Sequence, residues 1–329
     1  MKRIRDDIYA VSVPLPNNAL RAVNAYIIPG DERSLLVDAG FDLPVSPETL
    51  GPALAAAGAD PLRLDLFITH QHCDHAGGAH LMASPGSAVY SHCQADGAHM
   101  DSGMSFEQLG KAAWDMLSRT EAGLPKAGEA EYGEMFERHV SYWPAPEQGY
   151  TSVSDGDVIN AGRYAFRVIE TPGHCATHVC LYDEKSGLLL SGDHVLPTIS
   201  PNVADLTGAS RSLWRYLDSL KKVMDLPVDL VLPAHGQSFR DLRGRCLELM
   251  EHHEKRTGNI RALIAGGDET LYDIARHCQW HTDGVAWERL PAGIKFFAYG
   301  ETLAHLNYML DQGMISKHTA GGQDRYATA

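Results

Sequence analysis

Positive charge is scarce in this chain: 28 lysines and arginines stand against 42 aspartates and glutamates, for a formal net charge of −14. Proteins grip duplex DNA and RNA mainly through cationic side chains on phosphates, so nucleic-acid binding is not expected. Cys73, Cys93, Cys175, Cys180, Cys246 and Cys278 form no C-x-x-C pair. Their spacing fits neither a zinc knuckle nor a disulfide framework, which leaves reduced thiols acting as small apolar groups. The uncharged apolar runs fall far short of the roughly 20 residues that span a bilayer, so no membrane segment is expected. The basic residues near Met1 are followed by alternation rather than an apolar run, and no secretory leader is expected either. Together these absences predict a cytoplasmic protein. The 329 residues, 44% of them hydrophobic, suffice for one large domain or one domain with an appendage.

Strand patterning opens the chain. Ile8 to Val13 alternates, Asn24 to Ile28 is mostly apolar, and Ser34 to Val37 runs into Asp38-Ala39-Gly40. Ser46-Pro47 reads as the start of a helix through about Ala57. Asp65 to Thr69 is a short buried strand. Residues 84–150 change character: Gly and Pro interrupt helical periodicity, and Trp114, Met116, Met135, Phe136, Tyr142 and Trp143 form a large apolar inventory. Lying between two groups of candidate ligands, this segment is expected to be an insertion that covers the site as a lid. Strands resume at 164–170, 178–182 and 188–191, with a helix near 212–224 and a strand at 229–232. Leu242, Cys246, Leu249, Met250, Ile260, Leu263 and Ile264 recur at helical spacing up to Gly266-Gly267. Shorter helices are expected at 270–277 and 300–312, and a disordered tail of small and polar residues at 319–329.

The stretch that carries chemistry is Thr69-His70-Gln71-His72-Cys73-Asp74-His75, with four metal-capable side chains in six residues. On a strand, His70 and His72 would share a face, and Asp74 and His75 could reach the same cavity from a following loop. Imidazole nitrogen and carboxylate oxygen suit Zn²⁺ and related divalent ions. Gly77-Gly78 then permits a close backbone approach or a sharp turn. Three apolar strands each finish beside Gly or Pro in another ligand-type residue: Thr171-Pro172-Gly173-His174, Ser191-Gly192-Asp193 and Pro233-Ala234-His235. Asp38 and Thr69 are candidates to orient the ligand histidines. His178 reads as packed or as a support behind the ligands, and His194 is left outside the ligand set. Cys73 and Cys175 read as small fillers. His252-His253 reads as a solvated or interface face of a helix rather than another metal site.

This pattern resembles the metallo-β-lactamase fold superfamily, whose signature is His-x-His-x-Asp-His followed by a later His, a bridging Asp and a final His. The resemblance spans roughly residues 5 to 240. It implies an α+β fold, a four-layer αββα sandwich with the site along one edge of the paired sheets. It further implies that His70, His72 and His174 bind a first metal, that Asp74, His75 and His235 bind a second, and that Asp193 bridges them. Lactamases proper usually carry a cysteine near the place of Asp193, and the diiron oxygen-reductase branch replaces the second signature histidine with glutamate. This chain keeps His72 and His75, and so looks like the glyoxalase II, lactonase and phosphodiesterase branches. Residues 297–306 resemble part of the winged-helix-like appendage of some members. Domains are therefore expected at 1–240 and, small and mainly helical, at 241–318.

Two neighbouring cations would bring a shared water from a pKa of 15.7 to near neutrality, with hydroxide available at physiological pH. Asp74 could orient that hydroxide and accept its proton, which makes it the catalytic candidate. The expected function is metal-dependent hydrolysis of a small ester, thioester or lactone. The rival readings are a phosphodiesterase or nuclease, and a non-catalytic sensor of the same fold. Zn²⁺ fits the ligand set best, while Fe²⁺ and Mn²⁺ tolerate it. A small-molecule substrate is the expected partner, and an apolar helical appendage makes a homodimer plausible.

Overall fold

Period-two burial in Tyr164–Glu170 shows how the sandwich forms. Tyr164, Phe166 and Val168 face one core while Ile169 enters another on the opposite side of the same strand. The computed structural model describes residues 1–16, 20–92, 144–205, 210–280 and 284–329. One sheet comprises β1 (Lys2–Arg5), β2 (Ile8–Pro14), β3 (Ala22–Ile28), β4 (Ser34–Val37), β5 (Leu64–Ile68), β6 (Val89–Ser91) and β7 (Thr151–Ser152), in that order. It is antiparallel from β1 to β4 and parallel from β4 to β7. The second sheet is built from β8 (Val158–Ala161), β9 (Tyr164–Glu170), β10 (Val179–Asp183), β11 (Leu188–Gly192) and β12 (Leu230–Pro233), in the order β12-β11-β10-β9-β8. Its strands are antiparallel except for the parallel β11–β12 pair.

Ile8, Tyr26, Val37 and Phe67 of the first sheet meet Phe166, Val168, Leu181 and Leu190 of the second in a dry core. Outside the first sheet, Leu50 and Leu54 of α1 (Val45–Ala57) cover Leu36, Leu66 and Ile68. Outside the second, Leu213, Tyr216, Leu220 and Val223 of α4 (Ser212–Met224) cover Ile169, Cys180 and Leu189. Two four-residue helices, α2 (Cys73–Ala76) and α3 (Ala79–Met82), lie between β5 and β6. The result is the αββα sandwich. Helix α1 begins at Val45, and Ser46 is not its cap: its hydroxyl donates to Phe41 O at 2.8 Å.

Helix α5 (Leu242–Ala265) belongs to two cores at once. Leu242, Cys246 and Leu249 pack on the second sheet, whereas Ile260 and Ile264 join α6 (Leu271–His277) and α7 (Ala292–Asp311) in a separate C-terminal core. At 1.5 Å per residue its 24 residues span about 36 Å, long enough to serve both. His253 is buried on this helix against Tyr216 and His305, so the His252-His253 face turns partly inward rather than to solvent. Among the described residues no helix is long and apolar enough to cross a membrane.

Two expectations need correcting. The insertion does not begin at residue 84, because β6 pairs in parallel with β5 and Val89 is buried in the core of the sheet. Tyr150, at the other flank, also enters that core. Residues 93–143, including every aromatic and methionine cited for the lid, lie outside the described residues. The tail at 319–329 is also not a disordered extension. Strands β13 (Ile315–Ala320) and β14 (Gln323–Thr328) form a hairpin in continuous register from Ile315↔Thr328 to Ala320↔Gln323. Its two-residue turn is Gly321-Gly322, both at positive φ (62° and 82°), which a type I′ hairpin turn demands. Tyr326 is buried in the C-terminal core, and its N–H donates to Glu269 O at 2.8 Å. Replacing it (Tyr326→Ala) is expected to cost about 3 kcal/mol in urea unfolding; a tail merely hanging in solvent would leave the midpoint unchanged.

Candidate metal centre

Strand direction brings the ligand-type residues together. Strands β4 and β5 run parallel, as do β11 and β12, and β9 shares the direction of β11 because both are antiparallel to β10. The C-terminal ends of all five therefore deliver Asp38, the His70–His75 segment, His174, Asp193 and His235 to one edge of the sandwich. Functional side chains commonly occupy this edge, because loops leaving the carboxyl ends of strands are held by the sheet yet free of its ladder. Backbone hydrogen bonds tie the sheets at this edge, Val179 N–H to Thr69 O at 2.9 Å and Asn24 N–H to Ala234 O at 2.7 Å among them.

The convergence of His70 and His72 does not come from strand alternation. Strand β5 stops at Ile68, and His72 is the residue that opens α2, with Asp74 and His75 on that helix's single turn. The two imidazoles consequently present different atoms: His72 Nδ1 lies 2.9 Å from His70 Nε2 and 3.0 Å from His174 Nε2. Gly78 allows the close approach anticipated for the double glycine. A Cβ there would sit 2.3 Å from Ala39 O.

The remaining contacts link all seven residues into one cluster. His75 Nε2 is 3.7 Å from Asp74 Oδ1 and 3.6 Å from Asp193 Oδ2. His235 Nε2 is 3.5 Å from Asp74 Oδ2 and 3.4 Å from Asp193 Oδ1. His174 Nε2 is 3.5 Å from Asp193 Oδ2. Ligand atoms about 2 Å from a tetrahedral ion stand about 3.3 Å apart, so this spacing suits divalent metal. Three groups of side chains offer atoms close enough to share an ion: His70, His72 and His174; Asp74, His75 and His235; and His70, His75 and Asp193.

Hydrogen bonds behind the rings decide which nitrogens face inward. His174 Nδ1 lies 2.7 Å from Asn202 O and His235 Nδ1 2.8 Å from Ala22 O. A carbonyl only accepts, so each Nδ1 carries the proton and each Nε2 is turned to the cavity. Asp38 does the same for His75, with Oδ2 2.8 Å from Nδ1. Asp38 also accepts from the Thr69 hydroxyl at 2.9 Å, which leaves Thr69 Oγ1 to accept from His70 Nδ1 at 3.1 Å. His75 Nε2, His235 Nε2 and Asp193 Oδ1 are buried with no hydrogen-bond partner. Orphaned buried polar atoms are costly unless something binds them, and these converge on one another.

Electrostatics point the same way. Burial, reinforced by neighbouring imidazoles, holds His70 below the usual histidine range and His72 down to about 3, and burial holds His174 low against the pull of Asp193, so their lone pairs are available at neutral pH. Burial also disfavours charge on His75, but Asp38, Asp74 and Asp193 outweigh it and push this ring up. Burial raises the carboxyls of Asp74 and Asp193, yet the adjacent imidazoles prevail: Asp74 falls to about 2 and Asp193 goes well below its ordinary value. Buried anions that stay ionised call for a cation, and the donor set fits a divalent one.

Residues 19–235 match the family described as the metallo-beta-lactamase superfamily. The chain belongs to that superfamily. It is a hydrolase of this metal-dependent family, and the donors described above are its candidate ligands. The chain is 27% identical over 98% of both chains to the "Probable metallo-hydrolase YqjP" of Bacillus subtilis. It is also 30% identical to a Gallus gallus protein named "Acyl-coenzyme A thioesterase MBLAC2", over 77% of this chain and 86% of that one. A solved β-lactamase domain protein from Burkholderia ambifaria superposes with a TM-score of 0.83 at 27% identity, covering 100% of this chain and 94% of its own.

All seven residues singled out as ligands thus lie in one cluster, and Asp38 and Thr69 stand behind them. His194 lies fully buried against the Tyr216 ring. The half-buried thiols of Cys73 and Cys175 are pushed up by burial, the latter to about 11, in keeping with a filler role. The carbonyls of Ala22 and Asn202 were not foreseeable, since a backbone oxygen carries no sequence signal. Asn tolerates the left-handed backbone of Asp38 (φ 59°), but its amide NH2 would face a donor where the carboxylate accepts, so Asp38→Asn should cost about 1–3 kcal/mol in unfolding. It should weaken metal retention about 10–100-fold in chelator competition, the usual effect of losing a partner behind a ligand.

Proposed function

We propose that this chain hydrolyses a small ester, thioester or lactone, with thioesters foremost, using two divalent ions, Zn²⁺ by the donor set. The observation that carries the reading is the convergence of His75 Nε2, His235 Nε2 and Asp193 Oδ1, buried and unpartnered, beside the His70, His72 and His174 trio. His70, His72 and His174 would hold one ion and Asp74, His75 and His235 the other, with Asp193 between the two sets. When bound, such ions supply Lewis acidity and bring the pKa of a water close to neutrality. The thioester preference is supported by the 30% identical relative named as an acyl-coenzyme A thioesterase.

The chain's own residues have distinct tasks in this reading. Asp38, Asn202 O and Ala22 O orient His75, His174 and His235 with Nδ1 outward, so none of these three rings has to turn before it binds. The Asp74 oxygens are braced by His75 and His235, which suits the carboxylate to orienting a water. At a pKa of about 2 it accepts a hydrogen bond far more readily than it stores a proton. Metal-loaded protein should be assayed against thioesters, lactones, carboxylate esters, β-lactams and phosphodiesters, with His72→Ala and Asp193→Ala in parallel. Turnover of carboxyl derivatives is expected, thioesters fastest, and lost in both variants. Turnover of phosphodiesters alone, or activity that survives both substitutions, overturns the reading.

A further inference from the structure

The backbone N–H of Asp193 is held by the side chain of His178. Asp193 follows Gly192, whose φ of +49° and crowded surroundings exclude any side chain: a Cβ there would lie 2.6 Å from His178 Nε2. The Asp193 N–H donates to that same Nε2 at 3.0 Å. A nitrogen that accepts carries no proton, so the proton of the neutral ring is on Nδ1, which donates to Thr171 Oγ1 at 2.7 Å. Thr171 Oγ1 lies 3.4 Å from Cys180 Sγ, and the Cys180 thiol donates to Ser191 O at 3.5 Å. The Thr171 hydroxyl must then donate to the sulfur. The chain therefore runs in one direction, from Asp193 N–H through His178, Thr171 and Cys180, and ends on Ser191 two residues before its start. It crosses the ends of β9, β10 and β11 and uses each donor once.

We infer that His178, which belongs to none of the candidate ligand groups, is the positioning residue for Asp193, acting as a neutral imidazole with its proton on Nδ1. Both ring nitrogens are spent inside the protein. A proton on Nε2, in either the other tautomer or the imidazolium, would face the Asp193 N–H and break the chain at its first link. Losing the acceptor leaves a buried N–H unpaired and the Gly192–Asp193 peptide held on one side only, through its carbonyl, which accepts from Ala234 N–H at 3.0 Å. The Asp193 carboxylate, which must meet His75, His174 and His235 together, then loses its aim. The inference rests on the reading of Asp193 as a shared ligand and is independent of the substrate.

Two variants separate acceptor from filler. In His178→Gln the amide oxygen reaches the position of Nε2; in His178→Asn the amide stays near Thr171 and cannot reach Asp193. Zn²⁺ retention is read by chelator competition and metal content, alongside the melting temperature of the metal-free proteins. His178→Asn should weaken retention about 10–100-fold, with Gln restoring most of it at a similar melting temperature. Long-range ¹H–¹⁵N spectra of the unsubstituted protein should place the His178 proton on Nδ1. A proton on Nε2, wild-type retention in His178→Asn, or equal losses in both variants that track melting temperature would each overturn the inference. Unchanged retention in Asp193→Ala would strike instead at the ligand reading beneath it.

Discussion

Three carboxylates, Asp38, Asp74 and Asp193, are held almost out of solvent among five imidazoles, and this buried charge constrains everything around it. An unpaired ion in a protein interior costs several kcal/mol, so each carboxylate must be met by protons, by cations or by fixed dipoles. Asp38 is met by the Thr69 N–H, the Thr69 hydroxyl and His75. Among the described residues, Asp74 and Asp193 are met by ring nitrogens at 3.4–3.7 Å, longer than ordinary hydrogen bonds and suited to a shared ion. The first carboxylate is a completed interaction. The other two are an unfinished one, and that contrast separates support from site.

The scaffold supplies the geometry by ordinary packing. Apolar faces of two sheets close on each other, helices cover the outer faces, and the strands that share a direction leave their ends at one edge. Only there can five loop segments far apart in sequence meet. The C-terminal region is joined to this frame by α5, whose two halves feed different cores, so the appendage is not simply tethered by a linker. Tyr216 links the two regions further: its ring packs on His253 of α5, and its hydroxyl donates to His194 O, next to Asp193.

Much of the fold was legible because burial leaves a period in the chain. The alternation of Ile8–Val13, the apolar run before His70 and the helical spacing from Leu242 to Ile264 each correspond to an observed element. The misreadings have physical causes. Small and polar residues suggest a disordered tail, yet two of them, Gly321-Gly322, are what a tight hairpin turn requires. The opening of residues 84–150 was taken for an insertion because a three-residue strand such as Val89–Ser91 is too short to show a period.

By itself, the sequence determined the chemical inventory: which histidines and aspartates hold metal-type donors, and that the segments carrying them follow apolar strands. That much is local, because strand patterning and residue type are properties of neighbours along the chain. The tertiary structure alone decided which nitrogen of each ring faces the cavity and how His178 bears on Asp193. Those choices rest on contacts across large separations, such as His235 Nδ1 with Ala22 O and His174 Nδ1 with Asn202 O, and on carbonyls that every residue type shares. A histidine's identity is written in the chain; its tautomer is set by whatever the fold places behind it.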